Sequence, residues 1–461
     1  MYVSKSRGGI PPPGGGSSSK GSSGVGVASS EVGGGGASAV AAAVRGDEVE
    51  GAAEGTPRRT PVPRNVFALG AVSLFTDVSS EMITSVLGYY LLVYLQVSTI
   101  AVGFLDGFYS AVPVLLSVAA AYLADRYQRR KLLAGLGYGL SAVSKLGFPL
   151  VGGSIGGLGL VQGADRLGKG LRTAPRDALI SLSAPPAIQG RAFGVHRAMD
   201  TVGAFLGPLV AMGAFSIAVT AQAFASIFVT SFCVACIGLL TLVLFVTDHR
   251  GPAADGRAAR PSLRSGLALL GHPAFRRVCV AGTLLALVWI SDTFVYLVLQ
   301  QRLHLTAIQF AMLAVGTSGV YLLLAVPLGR LADRIGRWRV FYAGHGALLA
   351  VYLLLAGPVG GTVLAVVTLA FHGLYYAATD GVLMAYAGPM LPPELRTSGL
   401  AVLQSLRALG AFCSSIVFGF TWAYFPAGDI ALFFAGGLVV MLAVAGLLVD
   451  PRRRPVTEVA R

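Results

Sequence analysis

Acidic and basic side chains stand inside apolar stretches of this sequence, where charge is expensive. The run SLFTDVSSEM sets Asp77 and Glu81 four residues apart, hence on one face of any helix that carries them. Asp106 and Lys145 follow in separate apolar runs, then Asp165, Arg166, Lys169 and Arg172 within a single one, then Asp200. Farther on the charges thin out to Asp292, His345, His372, Asp380 and Arg407. An ionised side chain at the centre of a bilayer costs about 2.5–3.5 kcal/mol on insertion scales, so such groups line a wet cavity or pair with one another. A carboxyl group beside a fixed guanidinium can also carry a proton, because burial and ion pairing pull its protonation in opposite directions. Asp77 and Glu81 are the first candidates for a group that binds and releases a proton. Arg166, Asp106, Lys169 and Asp200 are candidates for the same cavity, and their clustering places proton handling in the first half of the chain.

Other constellations fail on inspection. Gly163 to Gly170 nearly spells a phosphate loop, but no Ser or Thr follows Lys169 and no strand precedes the glycines, so ATP is not the energy source. His196 and Asp200 sit at helical spacing at the start of an apolar run, able to pair with each other or with Arg197. No convergent catalytic set surrounds them. Cys233 and Cys236 form a C-x-x-C inside FVTSFCVACIGLLTLVLFV with no second ligand pair, and two buried, inert thiols are expected. No enzyme chemistry, cofactor or metal is expected.

The elements that must position these charges follow from composition. The 461 residues are 54% hydrophobic and 12% charged, with mean hydropathy +0.71. Ordinary soluble domains carry about 25% charged residues, so this chain could not cover a soluble surface. Its net charge of +14 falls in short arginine clusters between apolar runs, with no basic face interleaved with aromatics, which excludes a nucleic-acid partner. From about Asn65 onward, runs long enough to span a bilayer follow one another. They are expected near 66–94, 99–124, 132–152, 156–178, 193–217, 224–247, 278–300, 307–331, 340–357, 362–386, 398–422 and 430–449. The fold class is therefore an all-α integral membrane protein of twelve spans. Alternate connections carry the arginines, among them Arg126, Arg129 and Arg130, then Arg172, Arg176 and Arg191, then Arg334, Arg337 and Arg339. The opposite connections are nearly bare, with Arg302 the main exception. Such alternation places both termini in the cytoplasm of a cell whose inner (plasma) membrane holds the chain.

The chain repeats itself. AYLADRYQRRK, Ala121 to Lys131, is echoed by GRLADRIGRWR, Gly329 to Arg339, and the pairs Asp125-Arg126 and Asp333-Arg334 lie 208 residues apart. Gly203-Ala204-Phe205 is echoed by Gly410-Ala411-Phe412 at nearly the same spacing. A duplicated six-helix unit follows. Residues 1–64 form a Gly/Ser/Pro-rich tail expected to be disordered. Residues 65–247 are the first bundle, 248–277 a basic cytoplasmic linker, 278–450 the second bundle and 451–461 a basic tail.

The stretch Gly329 to Arg337, G-x-L-A-D-R-x-G-R after the second span of a half, resembles the signature of the major facilitator superfamily. The first copy departs from it, with Ala121 and Gln128 at the glycine positions, so its turn is expected to be sterically tighter. The resemblance implies two six-helix halves that rock about a midplane site. It also implies a gating role for Asp125, Arg126, Arg129, Asp333, Arg334 and Arg337, which can latch helix termini. In the fifth span Gly203, Gly207 and Pro208, with Ala211 in place of one glycine, resemble the family's antiporter motif. Arg166 with Gly170 resembles its fourth-helix R-x-x-x-G, whose arginine is implicated in proton transfer.

Together these residues imply a secondary transporter acting as a monomer on protons and a small-molecule substrate within the lipid bilayer. Proton-coupled export of a small organic molecule is the leading reading, carried by the fifth-span motif. Uptake by proton symport is the alternative, and a membrane-embedded enzyme or a receptor on a transporter scaffold comes after it. A cavity mixing both charge signs with aromatics such as Tyr89, Tyr109, Trp289 and Tyr376 would suit amphipathic molecules.

Overall fold

The computed structural model of the protein describes residues 61–127, 129–185, 188–217, 220–248, 267–392 and 395–449. The tails expected at 1–64 and 451–461 lie almost wholly outside these residues, as do most of the linker and Gln128. Among the described residues no strand occurs. Helices α1 (Arg64–Tyr89, prolonged by a π turn at Tyr90–Tyr94), α2 (Thr99–Tyr127), α3 (Arg130–Ser144) and α4 (Gly147–Val151) come first, then α5 (Ile155–Ser183), α6 (Gln189–Ile217) and α7 (Thr220–Phe245). After the linker come α8 (Pro273–Ala286), α9 (Asp292–Leu303), α10 (Ala307–Ile335), α11 (Arg337–Ala356), α12 (Gly361–Thr379), α13 (Val382–Ala387), α14 (Arg396–Trp422) and α15 (Ala427–Leu448). Helix α8 begins five residues before the expected start of the second bundle at 278, because Pro273 supplies a preset first helical turn after His272.

Eight of these stretches are long and apolar enough to cross a membrane by themselves. Segments falling short of that measure are understandable. Helix α5 carries Asp165, Arg166, Lys169, Arg172, Arg176 and Asp177, and α3–α4 and α8–α9 are interrupted. Large apolar side chains point outward, Leu150 at 83%, Ile217 at 89% and Leu447 at 85% exposure. In water such a surface would aggregate; in lipid it is the solvated face. Cys233 belongs to that outer surface instead of being buried as expected, while Cys279 is buried. A helix apolar all round does not reveal which side faces lipid.

A break inside a bilayer frees backbone groups that lipid cannot satisfy. Around the α8–α9 break, Tyr352 Oη accepts from Ile290 N (2.7 Å) and donates to Val288 O (2.9 Å). Ser414 Oγ donates to Trp289 O (2.7 Å), and Ser291 Oγ caps the new helix at Phe294 N. Arg302, the exception in the loop charges, donates to the carbonyls of Leu354, Leu355, Gly357 and Val359 at 2.8–2.9 Å. It closes the C-terminus of α11, so its charge serves a helix end and not the topology.

The duplication is visible in backbone geometry. The non-glycine residues with left-handed φ are Gln96 (54°) and His304 (50°) among those described, and they stand 208 residues apart. Gly203 of α6 lies against Leu74 of α1, and its echo Gly410 of α14 lies against Thr283 and Ala286 of α8. Helix α1 packs on α6 and α7, and α5 on α2 and α3; α12 packs on α10 and α11, and α8 on α14 and α15. Between these groups α2 meets α14 and α6 meets α10, which are equivalent pairs in the repeat. A Cβ on Gly103 would lie 2.5 Å from Ser415 O and 3.0 Å from Gly419 Cα, so α2 and α14 touch through backbone. That seam closes the bundle at the end away from Arg64 and Leu448.

Candidate functional site

The charges of the first bundle resolve into two neighbouring clusters. In one, Arg166 of α5 pairs with its own neighbour Asp165 through Nε (2.9 Å) and Nη2. Its guanidinium lies 3.7 Å over the Tyr109 ring, a cation–π contact. Ser141 Oγ donates to Asp165 Oδ1 (2.5 Å), and Tyr109 Oη bonds Thr84 Oγ1 (2.8 Å). Lys145, 1% exposed, donates to Ser79 Oγ (2.5 Å) and Ser80 Oγ (3.4 Å). Among them lies a cavity of about 10 Å³ touching Lys145, Gln162, Asp165 and Arg166, close to the space of one water. Close approach of α3 and α5 brings these groups together: a Cβ on Gly168 would lie 2.5 Å from Gly137 O.

The other cluster centres on α1 and α6. Asp77 of α1 and Asp200 of α6 bring their carboxyl groups together. Asp200 also faces Arg197 (3.6 Å) and Arg176 (3.9 Å). Arg176 Nη1 donates to Ser73 Oγ (3.2 Å), which bonds His196 Nε2 (2.8 Å). A polar chain thus runs from His196 through Ser73, Arg176 and Asp200 to Asp77. Glu81 lies one turn from Asp77, with its Cβ against Gly207, and Lys169 acts electrostatically on both acids.

Sequence reasoning puts Arg166 opposite Asp77 and Glu81. Arg166 does act on Glu81, but after Lys169, and its direct ion pair is Asp165. Adjacent residues of a helix point about 100° apart, so a pairing within D-R is not the expected one; the long guanidinium folds back to make it. Gly203 and Gly207 are the residues that let α6 approach: a Cβ on Gly207 would lie 2.8 Å from Val78 O and 2.9 Å from Met82 N. Pro208 lies inside α6. Asp106 stands apart from both clusters. It accepts from Ser415 Oγ (2.8 Å) and has Thr293 and Ser291 beside it, so it ties α2 to α14 next to the α8–α9 break.

At the termini-bearing end, Arg337 Nε and Nη2 donate to Asp333 Oδ1 (3.2 and 3.0 Å), and Nη1 donates to Ala385 O (2.8 Å) near the end of α13. Gly336 between them has φ 106°, a turn that a side chain would strain. Arg334 and Arg129 are exposed; the side chains of Asp125 and Arg126 lie outside the described residues. Replacing Asp333 by Asn is expected to slow turnover severalfold while leaving substrate affinity within a few fold, read from initial rates and equilibrium binding on the same preparation. Complete loss of binding by the folded variant would place Asp333 at the substrate instead.

Residues 69–415 and 289–460 match the pattern of the Major Facilitator Superfamily, which covers most of the chain. The chain belongs to the major facilitator superfamily. Among its relatives an uncharacterised MFS-type transporter of Methanocaldococcus jannaschii is 29% identical over 375 residues, 79% of this chain and 89% of that one. An uncharacterised protein of Mycobacterium tuberculosis (strain H37Rv) is 30% identical over 342 residues, 71% and 74% of the two chains. In structure the chain is similar to the nucleoside transporter NupG, with TM-score 0.69, 16% identity, and 84% of this chain and 100% of that chain covered. It is also similar to a D-xylose-proton symporter, with TM-score 0.65, 16% identity and coverages of 84% and 97%. Family and fold are thus those of membrane transporters. In this member of the superfamily Asp77, Asp200, Glu81 and Lys169 stand together in the first bundle.

Proposed function

We propose that this protein is a proton-coupled secondary transporter that exports a small organic molecule by alternating access. The observation that carries the reading is the meeting of Asp77 and Asp200 with Glu81 and Lys169 beside them, acids and a lysine brought together inside the first bundle. In the exporter cycle a proton arriving from outside neutralises an acid and weakens its hold on Lys169, and substrate leaves. Loss of the proton inside restores the charged pairing and the affinity for substrate. The bundles 65–247 and 278–450 rock about this site, joined by the linker 248–277, and the α2–α14 seam is the outer closure. Asp333 and Arg337 hold the inner ends of the second bundle. The protein works as a monomer in the inner membrane and performs no enzymatic reaction.

Uptake of a panel of small molecules into inverted vesicles under an imposed pH gradient tests the reading. Accumulation driven by an inward-acid gradient and collapsed by a protonophore supports export; accumulation only in right-side-out vesicles supports symport. The topology has its own test. In a variant cleared of native cysteines, Cys at position 155 is expected to react with an impermeant maleimide from outside the cell only, and Cys at position 255 from inside only. The reverse labelling at either position overturns the orientation.

A further inference from the structure

Asp292 opens α9, immediately beyond the break in the seventh span. Groups from both bundles surround it, since Glu81 of α1 and Asp106 of α2 interact with it electrostatically and Tyr376 and His372 of α12 touch it. Even so its side chain is 45% exposed, which means that it borders open space inside the protein. Its Oδ1 accepts a hydrogen bond from Tyr376 Oη and lies 3.4 Å from His372 Nε2. His372 is fully buried, and neither of its ring nitrogens has a hydrogen-bond partner. Around it stand the Tyr376 ring at 5.2 Å, Tyr296 at 6.0 Å and Tyr375 at 6.4 Å between centroids.

What distinguishes Asp292 is the missing counter-charge. Asp165 has Arg166, and Asp200 has Arg176 and Arg197. Among the described residues no lysine or arginine forms an ion pair with Asp292. Arg407, the fixed cation on α14, acts on Tyr375 and His345. The facing charges from the first bundle are Glu81 and Asp106, both of the same sign. A half-exposed carboxylate with a wall of aromatic rings and further acids across the space disfavours anions and attracts a cation.

We propose that Asp292, with the rings of Tyr376 and His372, holds the positively charged nitrogen of a lipophilic organic cation, which is the substrate class of this transporter. Carboxylate supplies the charge, ring faces supply apolar and cation–π contact, and the Tyr376 hydroxyl fixes the carboxylate's orientation. This assignment rests on the transport reading for its meaning, but its test uses no gradient.

Equilibrium binding of tetraphenylphosphonium to the purified full-length chain, with the equally large anion tetraphenylborate as competitor, decides it. Saturable binding of the cation is expected, with affinity at least tenfold lower in Asp292→Asn, largely kept in Asp292→Glu and severalfold lower in Tyr376→Phe. Tetraphenylborate is expected not to compete. Unchanged affinity in folded Asp292→Asn, equal competition by the anion, or no saturable binding by the wild type overturns the proposal. Should Asp292→Asn fail to fold, unchanged affinity in Tyr376→Phe overturns it as well. Loss of proton coupling elsewhere would leave this binding intact. Absence of cation binding would leave proton-driven transport of neutral or anionic molecules standing.

Discussion

With Asp77 changed to Asn and Glu81 to Gln, the transporter is expected to lose all concentrative transport driven by a pH gradient while keeping pH-independent exchange of substrate. Each amide keeps the shape of the acid but cannot take up and release a proton. Asp77→Asn also leaves Asp200 facing an amide in place of a second acid. The accumulation ratio in proteoliposomes should fall to unity, a loss of well over tenfold for any substrate the wild type concentrates that far. Counterflow of labelled substrate without a gradient should persist. Arg166→Ala should slow both activities and lower stability. Its removal leaves Asp165 buried with only Ser141 as a direct partner, and uncompensated buried charges of this kind cost about 3–5 kcal/mol. If the double variant still concentrates substrate, Asp77 and Glu81 are structural acids. Asp200 and then Asp106 become the coupling groups to replace next.

A second large effect is expected at the helix contacts. Gly103→Leu places a branched side chain where α2 and α14 now meet through backbone, within 3.0 Å of Gly419 Cα. Neither helix can yield by a rotamer change, so the seam cannot close. Because the contact joins the two bundles and not the interior of one, the variant should fold yet be locked open at that end. Transport should drop at least tenfold, and Cys placed at Ser415 should become reactive to an aqueous maleimide that does not reach it in the wild-type background. Gly203→Leu makes the opposite case. Its Cβ would stand 2.5 Å from Leu74 O inside the α1–α6 contact, and this variant should fail to accumulate as a monodisperse protein. Equal folding and equal transport loss in both variants would show that the bundles do not move as separate bodies.

The sequence carried the helices well because a bilayer imposes one rule on all of them. Each expected span lies within a few residues of an observed helix or broken helix pair, since length and apolarity suffice when every backbone group must bond within its own segment. The repeat was legible for a related reason. Asp-Arg pairs and small residues recur at positions where both bundles need the same turn or contact, and Gly203 and Gly410 do occupy equivalent packing sites. Most charges in apolar runs, Asp165 and Arg166 among them, likewise marked residues of the interior, whereas Asp380 is exposed.

Partnership among those charges was decided by tertiary structure. Helical periodicity puts Asp77 and Glu81 on one face, but it does not say that Asp200 approaches Asp77, because that depends on two glycines bringing α6 against α1. Nor does it say that Arg166 turns back to Asp165, or that Asp106 belongs to the α2–α14 seam. Arg302 looked like a stray topological charge and proved to close α11 through four carbonyls. Asp292 was visible only as one of a few sparse charges; the break before it and the absence of a neighbouring cation exist in three dimensions alone. Hydropathy and spacing fix which segments enter the membrane and which face a charge can occupy. Crossing angle, rotation and distance between helices fix which charge meets which, and those arise from side chains scattered across the whole chain.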